Sequence, residues 1–170
     1  YTSKSNRAAY KYADNTFPTG SGTVSDKVPN VRLFYGAAGP SPKTLSSLTG
    51  AQASTDCVIP GSTNNPILRL DFEVTGTDGT LNLTEIKVTS NNTDDADTTA
   101  SGVKAYRTST PTFSTEHQFG SGASFASAAT ITGNYDLPTG TTYLWITYDI
   151  ASGAAPGNIT DAKVTANNIT

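Results

Sequence analysis

Three aspartates in one short polar stretch are the first residues whose types and spacing suggest chemistry. Residues 90–102 read SNNTDDADTTASG and contain Asp94, Asp95 and Asp97. Neighbouring carboxylates bind hard cations such as calcium, or act as a pair in general acid–base catalysis. The D-x-D-x-D-G spacing of a calcium loop is not met, because Thr93 stands where its first aspartate would be. Three interpretations stay open: a structural calcium site, a catalytic pair, and a solvated loop between strands.

The other acidic and basic residues do not form a recognisable catalytic pattern. His117 is the single histidine, so a Ser-His-acid triad would have to use it, and the chain contains no Gly-x-Ser-x-Gly elbow. Asp71 and Glu73 share one face of a predicted strand and, with Asp149, would be the carboxylates of a glycosidase. Arg69 lies on that same face, which favours a solvated polar surface. We therefore expect no enzymatic activity and, apart from structural calcium, no cofactor.

Cys57 is the only cysteine of the chain. One sulfur can form neither an internal disulfide nor a thiolate metal site. We expect a small buried hydrophobic side chain on a short strand, residues 56–59, because free cysteines are commonly buried. An intermolecular disulfide and a reactive thiol remain the alternatives.

Two aromatic residues suggest a site for carbohydrate. Tyr143 and Trp145 alternate with Leu144 and Ile146 in TYLWITYDI, so both rings lie on one strand face. Exposed rings bordered by polar groups are stacking platforms for sugars on β-sandwiches. A loop or the N-terminal segment covering this face would bury both rings. We favour this covered face, because no other aromatic is evident at the neighbouring polar positions.

Three strong strand patterns provide the framework for these residues. Residues 67–75 (ILRLDFEVT), 81–89 (LNLTEIKVT) and 142–150 alternate apolar and polar side chains. Asp78-Gly79 lies between the first two, which predicts a β-hairpin because both residues tolerate positive φ. The apolar phase shifts between Leu83 and Ile86, which predicts a bulge.

The rest of the pattern predicts an all-β chain. No convincing helical period occurs, and turn residues recur at short spacing, which favours an antiparallel β-sandwich, jelly-roll-like, with an N-terminal strand-rich extension. Residues 90–102 then lie between two strands, as a solvent-facing loop. Shorter strands are predicted at residues 31–35, 56–59, 103–107, 128–132 and 159–165.

Composition agrees with this fold and excludes some partners. The 170 residues include 29 Thr and 17 Ser, which favour strands and turns over helices. The net charge is -3, so no basic field concentrates nucleic acid or an anionic membrane. No apolar run approaches the length of a transmembrane helix, and we expect no membrane insertion.

The order of features over residues 55–170 resembles a known family. The features are PGSTNNPILRLDFEVTGTDGTLNLTEIKV, then VKAYRTSTPTFSTEHQFGS, then TGTTYLWITYDIASGAAPGNITDAKV. They resemble the N-terminal associated domain of BNR-repeat sialidases, a β-sandwich module repeated in secreted and surface proteins of Bacteroidetes. The resemblance implies an extracellular module without the sialidase active site, because the catalytic propeller is a different domain.

The N-terminal third differs in composition from the rest. Residues 1–35 are Tyr-rich, and their YADN and TVSDKVPNVR elements resemble the last strands of a preceding β-sandwich module. Residues 36–52 are rich in Pro, Gly, Ser, Thr and Ala, which is typical of a linker. We therefore expect a strand-rich N-terminal segment (1–35), a linker (36–52) and a β-sandwich module (53–170).

The resemblance also implies a function. It implies a structural or adhesive building block of a bacterial surface protein or filament, at the cell surface or outside the cell. Family members continue beyond the last strand of this chain, so an open sheet edge would be completed by strand exchange with another copy or a neighbouring module. The alternative is a carbohydrate-binding accessory module of a secreted sialidase-like glycoside hydrolase, with glycans as partners.

Glycosylation is the last expectation for residues 90–102. Asp97-Thr98-Thr99 fits the Asp-Ser/Thr-small pattern that Bacteroidetes use for O-glycosylation, with Thr98 as the acceptor implied by the resemblance. Asn91-Asn92-Thr93 also reads as an N-glycosylation sequon at Asn91. The carboxylates would then be the context of a sugar acceptor.

Overall fold

A computed structural model describes residues 39–164. The chain divides into two units, Tyr1–Gly39 and Pro40–Thr170, and the described residues belong almost wholly to the second. The predicted N-terminal segment (1–35), with its strand at residues 31–35, lies outside the described residues. So does the end of the strand predicted at residues 159–165.

The described residues form two antiparallel sheets. The strands are β1 (Thr44–Gln52), β2 (Asn65–Thr75), β3 (Asn82–Thr89), β4 (Thr98–Thr108), β5 (Gln118–Ala123), β6 (Ala128–Asp136) and β7 (Gly140–Ile150). The larger sheet has the strand order β1-β2-β7-β4-β5, and the smaller pairs β3 with β6. One short 3-10 helix, Asp95–Asp97, precedes β4.

The core lies between the inner faces of the two sheets. Side chains alternate across a strand, so every second residue of β2 and β7 points inward. Phe72 on β2 and Ile146 on β7 are fully buried there, as are Ile86 on β3 and Ile131 on β6. The predicted all-β antiparallel sandwich is confirmed.

The chain changes sheets at most of its connections. It crosses from one sheet to the other between β2 and β3, β3 and β4, β5 and β6, and β6 and β7. Consecutive strands in opposite sheets are the mark of a jelly-roll-like sandwich. As a result, β7 near the end of the chain lies in the middle of the larger sheet, between β2 and β4.

The predicted hairpin at Asp78-Gly79 is wrong, because β2 and β3 lie in different sheets. The amides of Thr77 and Asp78 donate to Ser41 O at 2.8 and 2.9 Å, and Lys43 N donates to Asp78 O at 2.8 Å. These bonds tie the turn to the segment before β1. Gly76 at the turn has φ +86°, and a Cβ there would lie 2.0 Å from Pro42 O. The residues do form a turn, as predicted, but the hydrogen bonds of this turn go to residues 41–43 and not to β3.

Several other strand predictions are confirmed. Residues 67–75, 81–89 and 142–150 lie in or overlap β2, β3 and β7, and the register of β3 shifts between Leu83 and Glu85, where a bulge was predicted. The strands predicted at residues 103–107 and 128–132 are parts of β4 and β6, which both extend further. We did not predict β5.

The linker prediction for residues 36–52 is wrong for its second half. Thr44–Gln52 forms β1, which pairs with β2 over its length. Its Ser, Thr and Gly residues suit a mostly exposed edge strand as well as a linker, so composition alone does not separate the two.

The two short strands predicted beside the ends of β2 and β7 are not present in the described residues. At 56–59, Asp56 N donates to Ser54 Oγ at 3.0 Å, a local turn that replaces strand pairing. Cys57 is therefore exposed rather than buried. At residues 159–164, Asp161 N donates to Thr93 Oγ1 at 2.6 Å, and strand-like pairing is limited to one bridge between Lys163 and Thr89.

Residues 39–164 contain no helix long and apolar enough to cross a membrane.

Candidate functional site

The outer face of the larger sheet carries a group of neighbouring aromatic and charged side chains. The antiparallel register places Arg69 of β2 beside Trp145 of β7, and Trp145 beside Tyr106 of β4. One row along, Asp71 lies beside Tyr143. Because side chains of one strand face stand two residues apart, these five residues form one continuous surface.

Trp145 is covered rather than exposed. Its side chain is 5% exposed, and the ring of Phe113, from the loop between β4 and β5, lies 5.6 Å away between centroids. Phe113 also makes an edge contact with Tyr106 at 6.0 Å. Trp145 Nε1 donates to Thr108 Oγ1 at 2.9 Å, which satisfies the buried indole. A sugar would reach Trp145 only if Phe113 moved away.

Tyr143 keeps part of its ring accessible beside an ion pair. Arg69 Nε and Nη2 donate to the two oxygens of Asp71 at 2.7 and 2.9 Å. The Arg69 guanidinium lies 5.4 Å from the Tyr143 ring centroid and 5.6 Å from that of Trp145. The bidentate bond with Asp71 raises the pKa of Arg69 above its ordinary value. The ion pair and the two rings therefore hold one another in place. Carbohydrate binding at Tyr143 and Trp145 stays a prediction.

The predicted glycosidase carboxylates are each engaged in structural bonds. Asp71 is bound by Arg69, and Glu73 Oε2 accepts from Thr141 Oγ1 at 2.5 Å. Asp149 accepts from Lys104 at 2.5 Å. A carboxylate already held by a cation or a hydroxyl is poorly placed to exchange protons with a substrate.

His117 ends the loop that carries Phe113. Its side chain is exposed, and its carbonyl accepts the Arg107 amide at 2.9 Å as β4 and β5 begin to pair. The structure therefore uses the backbone of His117 to close this loop.

A second polar cluster lies on the same face, next to Trp145. It consists of Lys104 on β4, Asp149 on β7 and Asn64 just before β2, with the Tyr106 hydroxyl beside them. Sequence analysis singled out none of Lys104, Asn64 and Tyr106. Asn64 is 40 residues from Lys104 and 42 from Tyr106 in the chain, and only the strand order brings it beside them.

The three aspartates of residues 90–102 accept hydrogen bonds from different parts of the chain. Asp94 Oδ1 accepts from Ala96 N at 3.0 Å and caps the 3-10 helix, while Asp95 Oδ2 accepts from Ser127 N at 3.0 Å. Asp97 is 6% exposed. Its two oxygens accept from Ala155 N at 3.1 Å and Asn158 Nδ2 at 2.7 Å.

These bonds give the carboxylates a structural role. Each satisfies a backbone or amide donor of a turn, which is the common fate of aspartates at such positions. Among residues 39–164 no group of three or more His, Cys, Asp or Glu side chains is arranged to hold a metal ion. Structural calcium therefore stays a prediction.

The expectation of a solvent-facing loop at residues 90–102 is wrong for its central part. Thr93, Asp97 and Thr98 are all buried. Thr98 Oγ1 donates to Asp95 O at 2.9 Å, so a transferase would reach this hydroxyl only before folding or after local opening. Asn91 is exposed, and its amide donates to Asp161 Oδ2 at 2.5 Å. Glycosylation at both residues stays a prediction.

No protein-family model, curated protein or solved structure matches the chain.

Proposed function

We propose that this chain is a non-catalytic, extracellular β-sandwich module that serves as a structural or adhesive building block of a bacterial surface protein or filament. In this proposal the module contacts other copies or neighbouring modules through exposed sheet edges. The order of features over residues 55–170 supports the extracellular placement.

The observation that carries the proposal is the edge strand β1. It lies at one end of the larger sheet, and no strand within residues 39–164 pairs with its outer edge. Its nine residues, TLSSLTGAQ, carry no charge, and eight of them are exposed. Natural edge strands are usually guarded by Lys, Pro or short length, because an open edge is a template for pairing. An uncharged edge of this length therefore favours strand addition.

A groove beside β1 supports the same proposal. It has a volume of about 290 Å³ and borders the inner surface of β1 and β2 and residues 162–164. Leu48, Leu68 and Leu70 contribute apolar side chains to it. A strand added next to β1 would gain main-chain hydrogen bonds, and its inward side chains would cover this apolar surface.

Sedimentation equilibrium over a wide concentration range tests the proposal. We expect the full chain to self-associate, and the substitution Thr49→Lys on β1 to weaken association roughly tenfold or more, because a lysine at a pairing edge must lose water. Thr132→Lys on β6 is the matched control. Both threonines are exposed, and each faces an acidic residue across its strand pair, Asp71 or Glu85.

Two outcomes would count against assembly through β1. One is a monomer at every concentration, and the other is equal weakening by Thr49→Lys and Thr132→Lys. The second outcome would place the contact elsewhere on the molecule.

A carbohydrate-binding accessory module is the second candidate function. It is supported by the half-buried Tyr143 ring beside the Arg69–Asp71 pair, an aromatic surface bordered by hydrogen-bonding groups. A glycan array with the full chain should give hits that disappear in Tyr143→Ala and persist in Tyr135→Ala. Tyr135 is a suitable control because Arg107 already covers its ring at 4.2 Å.

A further inference from the structure

Three reactive side chains and one hydroxyl meet above the central strand of the larger sheet. Lys104 Nζ lies 2.5 Å from Asp149 Oδ2 and 3.4 Å from Asn64 Oδ1. The Tyr106 hydroxyl donates to the same Asn64 Oδ1 at 2.9 Å. The other Asp149 oxygen accepts the Asn64 backbone amide at 2.8 Å. An amine, a carboxamide and a carboxylate are thus held in mutual contact.

The strand order creates this arrangement. β7 carries Asp149 and lies between β2 and β4. Lys104 of β4 pairs with Thr147, which is two residues before Asp149 on the same face of β7. Asn64 precedes β2 with φ +55°, a left-handed conformation that asparagine tolerates better than most residues. Asn64 and Lys104 come from opposite sides of β7, and their side chains meet across it.

The surroundings of the cluster are partly shielded from water. The side chains of Lys104 and Asp149 are 22% and 13% exposed. Tyr106 beside them is 5% exposed. Thr147, the neighbour of Lys104 on β7, is fully buried, and its hydroxyl has no hydrogen-bond partner among the residues described. This partial shielding strengthens the electrostatic contacts among the groups of the cluster.

We propose that Lys104 and Asn64 join in an intramolecular isopeptide bond. Asp149 accepts a proton from Lys104 Nζ, and the freed lone pair attacks Asn64 Cγ. Tyr106 donates its hydrogen bond to the oxygen that becomes negative, as an oxyanion-hole donor does. Asp149 passes both protons lost by Nζ to Asn64 Nδ2, the Cγ–Nδ2 bond breaks, and ammonium leaves.

The reaction balances without a co-reactant. An ammonium group and a carboxamide become one secondary amide and one ammonium ion, and Asp149 returns to its carboxylate form. No electron is transferred and no cofactor takes part. The bond ties the start of β2 to β4 across β7, and it does not depend on the proposed function of the module.

The intact mass of the purified full chain tests the proposal. We expect a mass below that of the unmodified sequence by one ammonia molecule. An unmodified mass would overturn the proposal. A loss of one water molecule would overturn it as well, because it would indicate an amide between Lys104 and Asp149.

Peptide mapping locates the bond. Trypsin cuts after Lys43, Arg69, Lys87, Lys104 and Arg107, but not after a lysine whose amine is acylated. We expect a branched species made of residues 44–69 and 88–107. A linear peptide 88–104 in full yield would contradict the proposal.

Matched variants distinguish ammonia lost in forming this bond from ammonia lost in another reaction, such as cyclisation of an asparagine. Lys104→Arg should restore the unmodified mass, whereas Lys43→Arg should keep the ammonia loss. Lys43 is a suitable control, because its Nζ is also paired with a carboxylate, at 2.9 Å from Asp136. Ammonia loss that persists in Lys104→Arg would overturn the proposal, and this outcome does not require either variant to be as stable as the parent chain.

Discussion

At the scale of single residues, Asp97 was a candidate for metal binding or catalysis, but its hydrogen bonds give it a structural role. Its carboxylate is buried and holds Ala155 N and Asn158 Nδ2, so it fastens the loop after β7 to the start of β4. Asp94, three residues earlier, is exposed and only caps a short helix. Loss of Asp97 would therefore remove a link between two segments of the chain, whereas loss of Asp94 would remove only a helix cap.

We expect Asp97→Ala to lower the free energy of unfolding by about 1–3 kcal/mol, because it removes both hydrogen bonds that the buried, charged carboxylate accepts from Ala155 N and Asn158 Nδ2. Asp94→Ala should cost about 1 kcal/mol or less, as the loss of an exposed cap does. Urea denaturation of both variants measures the difference. Equal effects would contradict the structural role of Asp97, and a melting temperature that falls on addition of a calcium chelator would instead favour the calcium site.

Tyr148 predicts how stability depends on alkaline pH. Its ring is fully buried, and burial raises the pKa of its hydroxyl well above the ordinary value, with Asp161 and Asp95 adding to the effect. In the unfolded chain the Tyr148 hydroxyl ionises near pH 10, whereas in the folded chain it stays protonated at that pH. The stabilisation is therefore complete below about pH 10 and is lost as the pH rises toward the folded-state value.

The parent chain should lose about 1.4 kcal/mol of stability for each pH unit above about 10 that Tyr148→Phe does not lose. Denaturation midpoints of both proteins between neutral pH and pH 11 give this difference. Parallel curves would show that the hydroxyl of Tyr148 is as easily ionised in the folded state as in the unfolded one.

At the scale of elements, alternation in the sequence was enough to predict β2, β3 and β7, because each buries one face or both. It was not enough to predict their partners. The turn after β2 has the residues of a hairpin, yet it pairs with residues 41–43, and no local pattern records that contact. β1 and β5 were missed because TLSSLTGAQ and QFGSGA have few buried positions.

The turn after β2 predicts that alanine lowers stability much more at one of its two glycines than at the other. Gly76 and Gly79 both have positive φ, +86° and +76°, but only at Gly76 would a Cβ meet the backbone, at 2.0 Å from Pro42 O. Gly79→Ala should cost about 1–2 kcal/mol for its conformation alone. Gly76→Ala should cost clearly more, because residues 40–43 must also move. Equal unfolding free energies in guanidinium would contradict the contact.

At the scale of the whole molecule, the larger sheet is covered on both faces near its centre. The smaller sheet covers one face, and the loop between β4 and β5 covers part of the other through Phe113. A covered face was the interpretation we favoured for Trp145, but its covering residue was not predicted. Phe113 lies in a polar stretch, TPTFSTEHQFG, and only the fold shows that its ring turns back over β4 and β7.

Trp145 is the only tryptophan, so its fluorescence reports on this cover directly. Phe113→Ala should shift its emission to the red and increase quenching by acrylamide, because water gains access to the indole. Phe125→Ala is the control, since Phe125 packs at 5.4 Å from Tyr148 in the core. Unchanged emission in Phe113→Ala would mean that Trp145 is shielded by something else.

The central position of β7 also has a kinetic consequence. β7 pairs with β2, about 75 residues earlier in the chain, and with β4, about 40 residues earlier. β2 and β4 cannot pair with β7 until residue 150 has been synthesised. These pairings join residues far apart in the chain, so they form late in folding. Folding dominated by such pairings takes on the order of milliseconds to seconds. A growing chain therefore holds β2 and β4 without their shared partner strand until β7 has been synthesised.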